Sequence, residues 1–155
     1  MRWDLPEPFV IDIRVDDSHI DALGHANNAV YLSFCEQVAW AHSEARGLGI
    51  TEYHTLDRAM AVQTTRLRYL QPSFAGDELQ VANWIVKSDG RLRVTRRYQI
   101  RRSRDDATVV RGQSEFVCIE ISSGRPRRMP PGFAREYVVE SKVASALSAG
   151  ELPPI

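Results

Sequence analysis

Lysine is almost missing from this chain. Of its 20 Lys and Arg residues only Lys87 and Lys142 are lysine, which leaves 18 arginines. An excess of one charge is missing too. Twenty basic side chains meet twenty acidic ones, and this excludes the strongly basic balance of a dedicated nucleic-acid binder. Cysteine is scarce. Cys35 and Cys118 cannot build a disulfide framework and read as buried thiols of a reducing compartment, so a cytoplasmic protein is expected. No apolar run approaches the roughly 20 residues that cross a bilayer, so no membrane partner is expected. The opening Met1–Pro6 has no apolar core of a signal peptide. Repeats, low-complexity tracts and Gly/Ser linkers are also absent. The expectation is one domain over residues 1–155, with 43% hydrophobic residues to supply a core.

Hydrophobic periodicity organises what is present. Phe9, Ile11, Ile13 and Val15 alternate with Val10, Asp12 and Arg14, the period of a half-buried strand. A polar stretch from Asp16 to Asn28 follows. Then Val30, Tyr31, Phe34, Cys35, Val38, Ala41 and Ala45 recur at helical spacing. Asn27 or Asn28 can cap that helix, and Gly47 or Gly49 can close it. Strand patterns follow over Met60–Leu70, Leu79–Val86, Leu92–Ile100 and Val109–Ile121. Asp89-Gly90 predicts a two-residue hairpin turn. A short C-terminal helix is expected over about 133–147. The order is strand, one long helix, then an antiparallel sheet, which is an α+β fold with the sheet curling around the helix.

The segment His19-Ile20-Asp21-Ala22-Leu23-Gly24-His25-Ala26-Asn27-Asn28 sets a carboxylate, an imidazole and two amides before a helix N-terminus. Unpaired backbone N–H groups and the positive end of the helix dipole lie there. Such an end stabilises an oxyanion forming on a carbonyl, and a carboxylate beside it can serve as general base or nucleophile. These are the parts for acyl transfer from an activated ester. The plainer reading makes Asp21 and Asn27 turn and capping residues only.

The pattern Asp21-x-x-Gly24-His25-x-Asn27-Asn28-x-x-Tyr31, with Glu36 further along the helix, resembles the hotdog-fold acyl-CoA thioesterases of the 4-hydroxybenzoyl-CoA thioesterase type. A second match is Tyr69-x-x-Pro72-x-x-x-Gly76-Asp77-x-Leu79-x-Val81. The resemblance implies a hotdog fold of about five strands and a homodimer or homotetramer with active sites at subunit interfaces. It implies hydrolysis of an acyl-CoA thioester, or of an acyl-carrier-protein thioester, with no cofactor. Asp21 then matches the base or nucleophile, the N–H of Asn28 matches the oxyanion donor, and His25 and Asn27 match orienting or catalytic residues. Tyr31 matches a residue of the acyl pocket or the core. Two departures stand out. His19 occupies the usual place of a first aspartate and would alter the charge around Asp21, and Ala26 replaces a valine.

Other polar residues carry plainer expectations. Glu36 reads as an interface or ion-pair residue rather than a second catalytic carboxylate. His19, Asp21 and His25 match no standard zinc spacing, so no metal is expected. Cys35 sits on the apolar helix stripe as a core thiol. The arginine-rich stretch from Arg91 to Arg104 puts Arg91, Arg93, Arg97 and Arg101 on one strand face and Arg96, Arg102 and Arg104 on the other. Arg91 and Arg93 are candidates for the phosphates of coenzyme A, against a solvated strand face as the default. The expected function is thioester hydrolysis; the alternative is a non-catalytic acyl-thioester-binding protein with the same pocket.

Overall fold

The change from period two to period 3.6 after Val15 is the boundary on which the structure turns. In the computed structural model, which describes residues 2–155, strand β1 (Phe9–Arg14) gives way to a 3-10 turn at Asp17–His19 and a loop. Helix α1 (Asn28–Ala45) follows, 18 residues long. Its buried residues Tyr31, Phe34, Cys35, Val38 and His42 recur at spacings of one, three and four, as the sequence predicts. The oxygen of the Asn27 side chain accepts the Ala29 N–H at 3.0 Å and caps the start. Gly47, at φ +76, closes the end. A short helix α2 (Ile50–Leu56), absent from the sequence reading, leads into strands β2 (Arg58–Tyr69), β3 (Glu78–Ser88), β4 (Arg93–Arg102) and β5 (Ala107–Glu120).

The five strands form one antiparallel sheet in the order β1-β3-β4-β5-β2. Helix α1 lies across one face, where Phe34 and Val38 pack among Leu79, Val81, Tyr98, Ile100 and Val109. This is the hotdog arrangement: a central helix held by a five-stranded antiparallel sheet. The opposite face is covered by the chain's own ends. Leu5, Ala82, Trp84 and Val143 form a second core there, and the Trp84 indole N–H donates to the Pro6 carbonyl at 2.8 Å.

Three expectations need correction. The Asp89-Gly90 turn is a four-residue loop, because the Asp89 carboxylate accepts the N–H groups of Arg91, Leu92 and Arg93 in turn. Only Gly90 there has positive φ. The C-terminal helix is two helices, α3 (Pro131–Glu136) and α4 (Ser141–Ala149). The chain breaks at Tyr137, whose ring is buried and whose hydroxyl donates to Ser43 Oγ at 3.0 Å. The arginine-rich stretch is solvated only at its ends: Arg91, Arg93 and Arg104 are exposed. Arg96, Arg97, Arg101 and Arg102 are all buried, two under the chain's ends: Arg97 donates to the Pro153 carbonyl, and the Arg101 guanidinium lies 5.1 Å from the Trp3 ring centre.

Arg102 ties the sheet to the loop that follows β2. It donates to the Pro72 carbonyl, to Gln71 Oε1 at 2.9 Å and to both oxygens of Asp105. That hydrogen-bonded guanidinium holds the Asp105 carboxyl down at about 2. A carboxyl whose folded value is depressed contributes stability above its ordinary 3.8 and loses it as pH falls toward 2. Asp105→Asn is therefore expected to melt below wild type at pH 6, with the two melting temperatures converging between pH 4 and about 2. A constant gap over that range, read by calorimetry, would contradict the assignment.

Candidate active site

The loop between β1 and α1 is built by its own backbone. The Asp21 N–H donates to the His25 carbonyl at 2.9 Å, and the Gly24 N–H returns to the Asp21 carbonyl at 3.0 Å. Gly24 stands at φ +78, a conformation that favours glycine. The loop is anchored at two points: Ala26 N–H to the Ser73 carbonyl and Asn27 N–H to the His19 carbonyl, both 2.8 Å. Since Arg102 holds Pro72, the sheet positions the loop through Ser73.

Asp21 is half-buried in this loop. Its Oδ1 accepts the Leu23 N–H at 2.9 Å, and its other oxygen makes no hydrogen bond among the described residues. So both the turn reading and the chemical one are met: one oxygen shapes the loop and one stays available. Asn27 spends its side-chain oxygen on the helix cap. Asn28 is the first helical residue, and its N–H has no partner among the described residues, while its carbonyl accepts the Tyr69 hydroxyl at 3.2 Å. The structure thus sets an unpaired carboxylate oxygen and an unpaired helix-end N–H on one short loop.

The remaining candidates lie as follows. The His25 ring meets Phe74 edge-on at 5.3 Å. His19 turns away from Asp21: its Nδ1 accepts the Asp16 N–H at 3.0 Å, and its ring stands edge-on to Phe34. The carboxylate beside it is Asp16, held below its usual range first by the Ser18 hydroxyl. Tyr31 belongs to the core with Phe34 and Tyr69, and its buried hydroxyl has no hydrogen-bond partner among the described residues. Arg91 and Arg93 sit beyond Ser88, at the far end of the 11-residue β3 from the loop. At about 3.3 Å per residue that is roughly 35 Å away. Among the described residues no three His, Cys, Asp or Glu side chains gather as a metal-ligand set.

A cavity of about 170 Å³ opens between α1 and the inner faces of β2, β4 and β5. Leu32, Trp40, Met60, Val62 and Phe116 line it. It begins one turn beyond Asn28 and continues to Ser43. Glu36, exposed on α1, also lines it and makes no ion pair within 4.0 Å among the described residues. Cys35 borders the cavity too, with its thiol pushed up to about 12 by burial, so it is a neutral wall and no nucleophile. The cavity's buried charged residue is Arg96. The sequence reading passed over it, although its parity with Val94 and Tyr98 on β4 was the signal that turned it inward.

Comparison with known proteins settles the class. The family model of the thioesterase-like superfamily matches residues 14–137. The chain belongs to that superfamily. Acyl-thioester hydrolysis is the general chemistry that membership supports. A curated relative, the chloroplastic acyl-acyl carrier protein thioesterase ATL3 of Arabidopsis thaliana, is 28% identical over 71 residues, 46% of this chain and 37% of that protein. The match therefore spans well under half of the relative. Among solved structures, the 1,4-dihydroxy-2-naphthoyl-CoA thioesterase of Synechocystis superposes with a TM-score of 0.76 at 18% identity, covering 84% of this chain and 96% of that one. The DHNA-CoA thioesterase of Staphylococcus aureus gives 0.79 at 19%, covering 94% and 97%. A Staphylococcus aureus protein solved in complex with CoA gives 0.79 at 17%, covering 97% and 98%. At these identities the structural likeness establishes the fold this thioesterase shares with them.

The cap is testable by itself. Asn27→Ala is expected to cost about 1 kcal/mol of stability, while Asn27→Asp, which keeps the capping oxygen, is expected to retain most of it. Urea midpoints of the three proteins check this. An unchanged midpoint in Asn27→Ala would contradict the cap.

Proposed function

We propose that this thioesterase hydrolyses acyl-CoA thioesters after the manner of the 4-hydroxybenzoyl-CoA thioesterase type, releasing a free acid and coenzyme A. The observation that carries the reading is the pairing of a free Asn28 N–H with a free Asp21 oxygen on one loop. Asn28 N–H, reinforced by the positive end of an 18-residue helix, polarises the thioester carbonyl and then stabilises the tetrahedral oxyanion. Asp21 either takes a proton from the attacking water or attacks the carbonyl itself, giving a mixed anhydride that water then hydrolyses to the free acid. Collapse of the tetrahedral species breaks the C–S bond. The leaving group departs as a thiolate, which is favourable because thiols ionise near 8.5. His25 and Asn27 hold the loop and helix end in register. Acyl carrier protein is the alternative carrier, in keeping with the name of the Arabidopsis relative.

Oligomerisation completes the proposal. Strand β2 is an edge of the sheet and exposes Val62 and Tyr69. An unpaired edge of 12 residues invites a second copy. If two β2 strands meet antiparallel, the partner's Arg58 end comes to lie beside this protomer's Tyr69. Arg93, level with Val117 and Ala61 across the sheet, then approaches the other protomer's Asn28. In that way Arg91 and Arg93 serve coenzyme A phosphates across the interface, although they are remote within one chain. A tetramer would stack two such dimers.

Thiol release measured over a panel of aliphatic and aromatic acyl-CoAs tests the reading. Wild type is expected to turn over, and Asp21→Asn to lose at least about 10²-fold in kcat with its melting temperature and oligomer size retained. Full activity in Asp21→Asn would remove Asp21 from the mechanism. Tight binding without thiol release in wild type would leave a non-catalytic acyl-thioester-binding protein.

A further inference from the structure

Arg96 is 3% exposed and carries its charge at the inner end of the cavity. No carboxylate of the described residues lies within 4.0 Å of it. Its partners are all neutral. It donates to His42 Nδ1 at 2.9 Å, to Asn83 Oδ1 at 2.5 Å and to Ser43 Oγ at 3.2 Å, and it lies 5.7 Å from the Tyr137 ring centre. His42 adds no second positive charge, since burial and then Arg96 itself push its pKa down to about 4. The Tyr53 and Tyr137 hydroxyls, 2.5 Å apart, and Ser43 border the same end of the cavity. Buried charges in proteins are ordinarily paired. Arg101 and Arg102 obey this with Asp106 and Asp105, and the partly buried Arg111 pairs with Asp4. Arg96 faces a space instead.

Much of the remaining wall is apolar, formed by Leu32, Ala39, Met60, Val62, Val94 and Phe116, with the hydroxyls of Thr65 and Ser114 hydrogen-bonded to each other between them. At about 170 Å³ it is comparable to the roughly 150 Å³ apolar cavity that admits a benzene molecule. A six-membered ring or a short chain fills it. Among the described residues the only carboxylate on the cavity wall is Glu36, seven residues before Ser43 on α1, which is about 10 Å along the helix. The cavity therefore runs from a negative residue on the exposed side of α1 to a cation within that has no anionic partner. A neutral alkyl tail would leave that guanidinium buried against hydrocarbon.

From this geometry we propose that the thioesterase selects acyl groups that end in a carboxylate, with Arg96 receiving the distal carboxylate while the thioester carbonyl lies at the helix end of the partner protomer, which antiparallel pairing of two β2 strands brings beside Met60 and Val62 on the cavity wall. The proposal rests on the thioesterase reading for the position of the thioester. It goes beyond it by naming the substrate class: a dicarboxylic acid joined to its carrier through one carboxyl, short and flexible or built on one ring. Tyr53, Tyr137 and Ser43 supply hydroxyls around the incoming carboxylate, and Arg96 supplies the planar guanidinium that suits two oxygens at once.

Binding separates this proposal from the catalytic one. Calorimetry is run with non-hydrolysable CoA thioethers carrying a 5-carboxypentyl or a hexyl chain, and with 4-carboxybenzyl and 4-methylbenzyl CoA as the ring pair. Wild type is expected to bind each carboxylate member at least tenfold more tightly than its apolar counterpart. In Arg96→Met the preference is expected to vanish or reverse. Arg96→Lys, which keeps a charge and guards against loss of fold, is expected to retain part of it. Equal or tighter binding of the apolar members by wild type overturns the proposal, and so does a preference that survives in Arg96→Met. Thiol release from adipyl-CoA and hexanoyl-CoA is measured beside these. Selective binding with no release from any thioester would uphold the Arg96 pocket while overturning hydrolysis.

Discussion

Burial of one stripe of α1 against the inner face of the sheet is the constraint on which the rest depends. Phe34, Cys35 and Val38 are essentially sealed between the helix and the strands, so the helix can neither rotate nor slide without opening the core. Its N-terminus is thereby fixed at one end of the sheet, next to the loop after β2. Asn27 satisfies Ala29, and Asn28 is left with an N–H facing outward. An exposed helix end elsewhere on a protein is satisfied by water. Here it follows directly on a loop that carries a carboxylate and is pinned to Ser73, and Ser73 follows a segment clamped by Arg102. The packing of the helix and the clamp of the arginine converge on the same few atoms.

The charges sort into three uses that the zero net charge conceals. Some arginines are structural clamps: Arg102 on Asp105 and the Pro72 carbonyl, Arg111 on Asp4. Others are exposed at the hairpin end, Arg91 and Arg93 among them. Arg96 alone is both deeply buried and set against a cavity. A clamp needs a carboxylate within reach, and a phosphate contact needs exposure. Arg96 has neither; Arg97 on β4 has neither as well, but it lies under the chain's C-terminal end at the Pro153 carbonyl, whereas Arg96 borders a cavity.

Local patterns carried much of this into the sequence. Alternation from Phe9 to Val15 and the helical recurrence from Val30 to Ala45 correspond to β1 and α1, and the motif from Asp21 to Tyr31 marks the loop that the fold brings to the helix end. What was illegible depended on distant segments. The sequence could not show that Trp3, Asp4 and Pro153 would cover the outward arginines, since those partners lie about 50 to 100 residues away. Nor could it show that Tyr137 would leave its helix to reach Ser43. The Asp89 loop was misread because Asp-Gly signals a tight turn, while the carboxylate's capacity to accept three N–H groups favours a wider one. Tyr31 was carried over as a pocket or core residue, and packing puts it in the core.

The central claim is that the α1 N-terminus receives the thioester carbonyl. A crystal structure with an acyl-CoA analogue in which a methylene ketone replaces the thioester tests it most directly. The account predicts the ketone oxygen about 2.7–3.1 Å from the Asn28 nitrogen, with the free Asp21 oxygen on the same side of the carbonyl carbon. A well-ordered analogue whose carbonyl lies away from Asn28, with that N–H still unpaired, would contradict it.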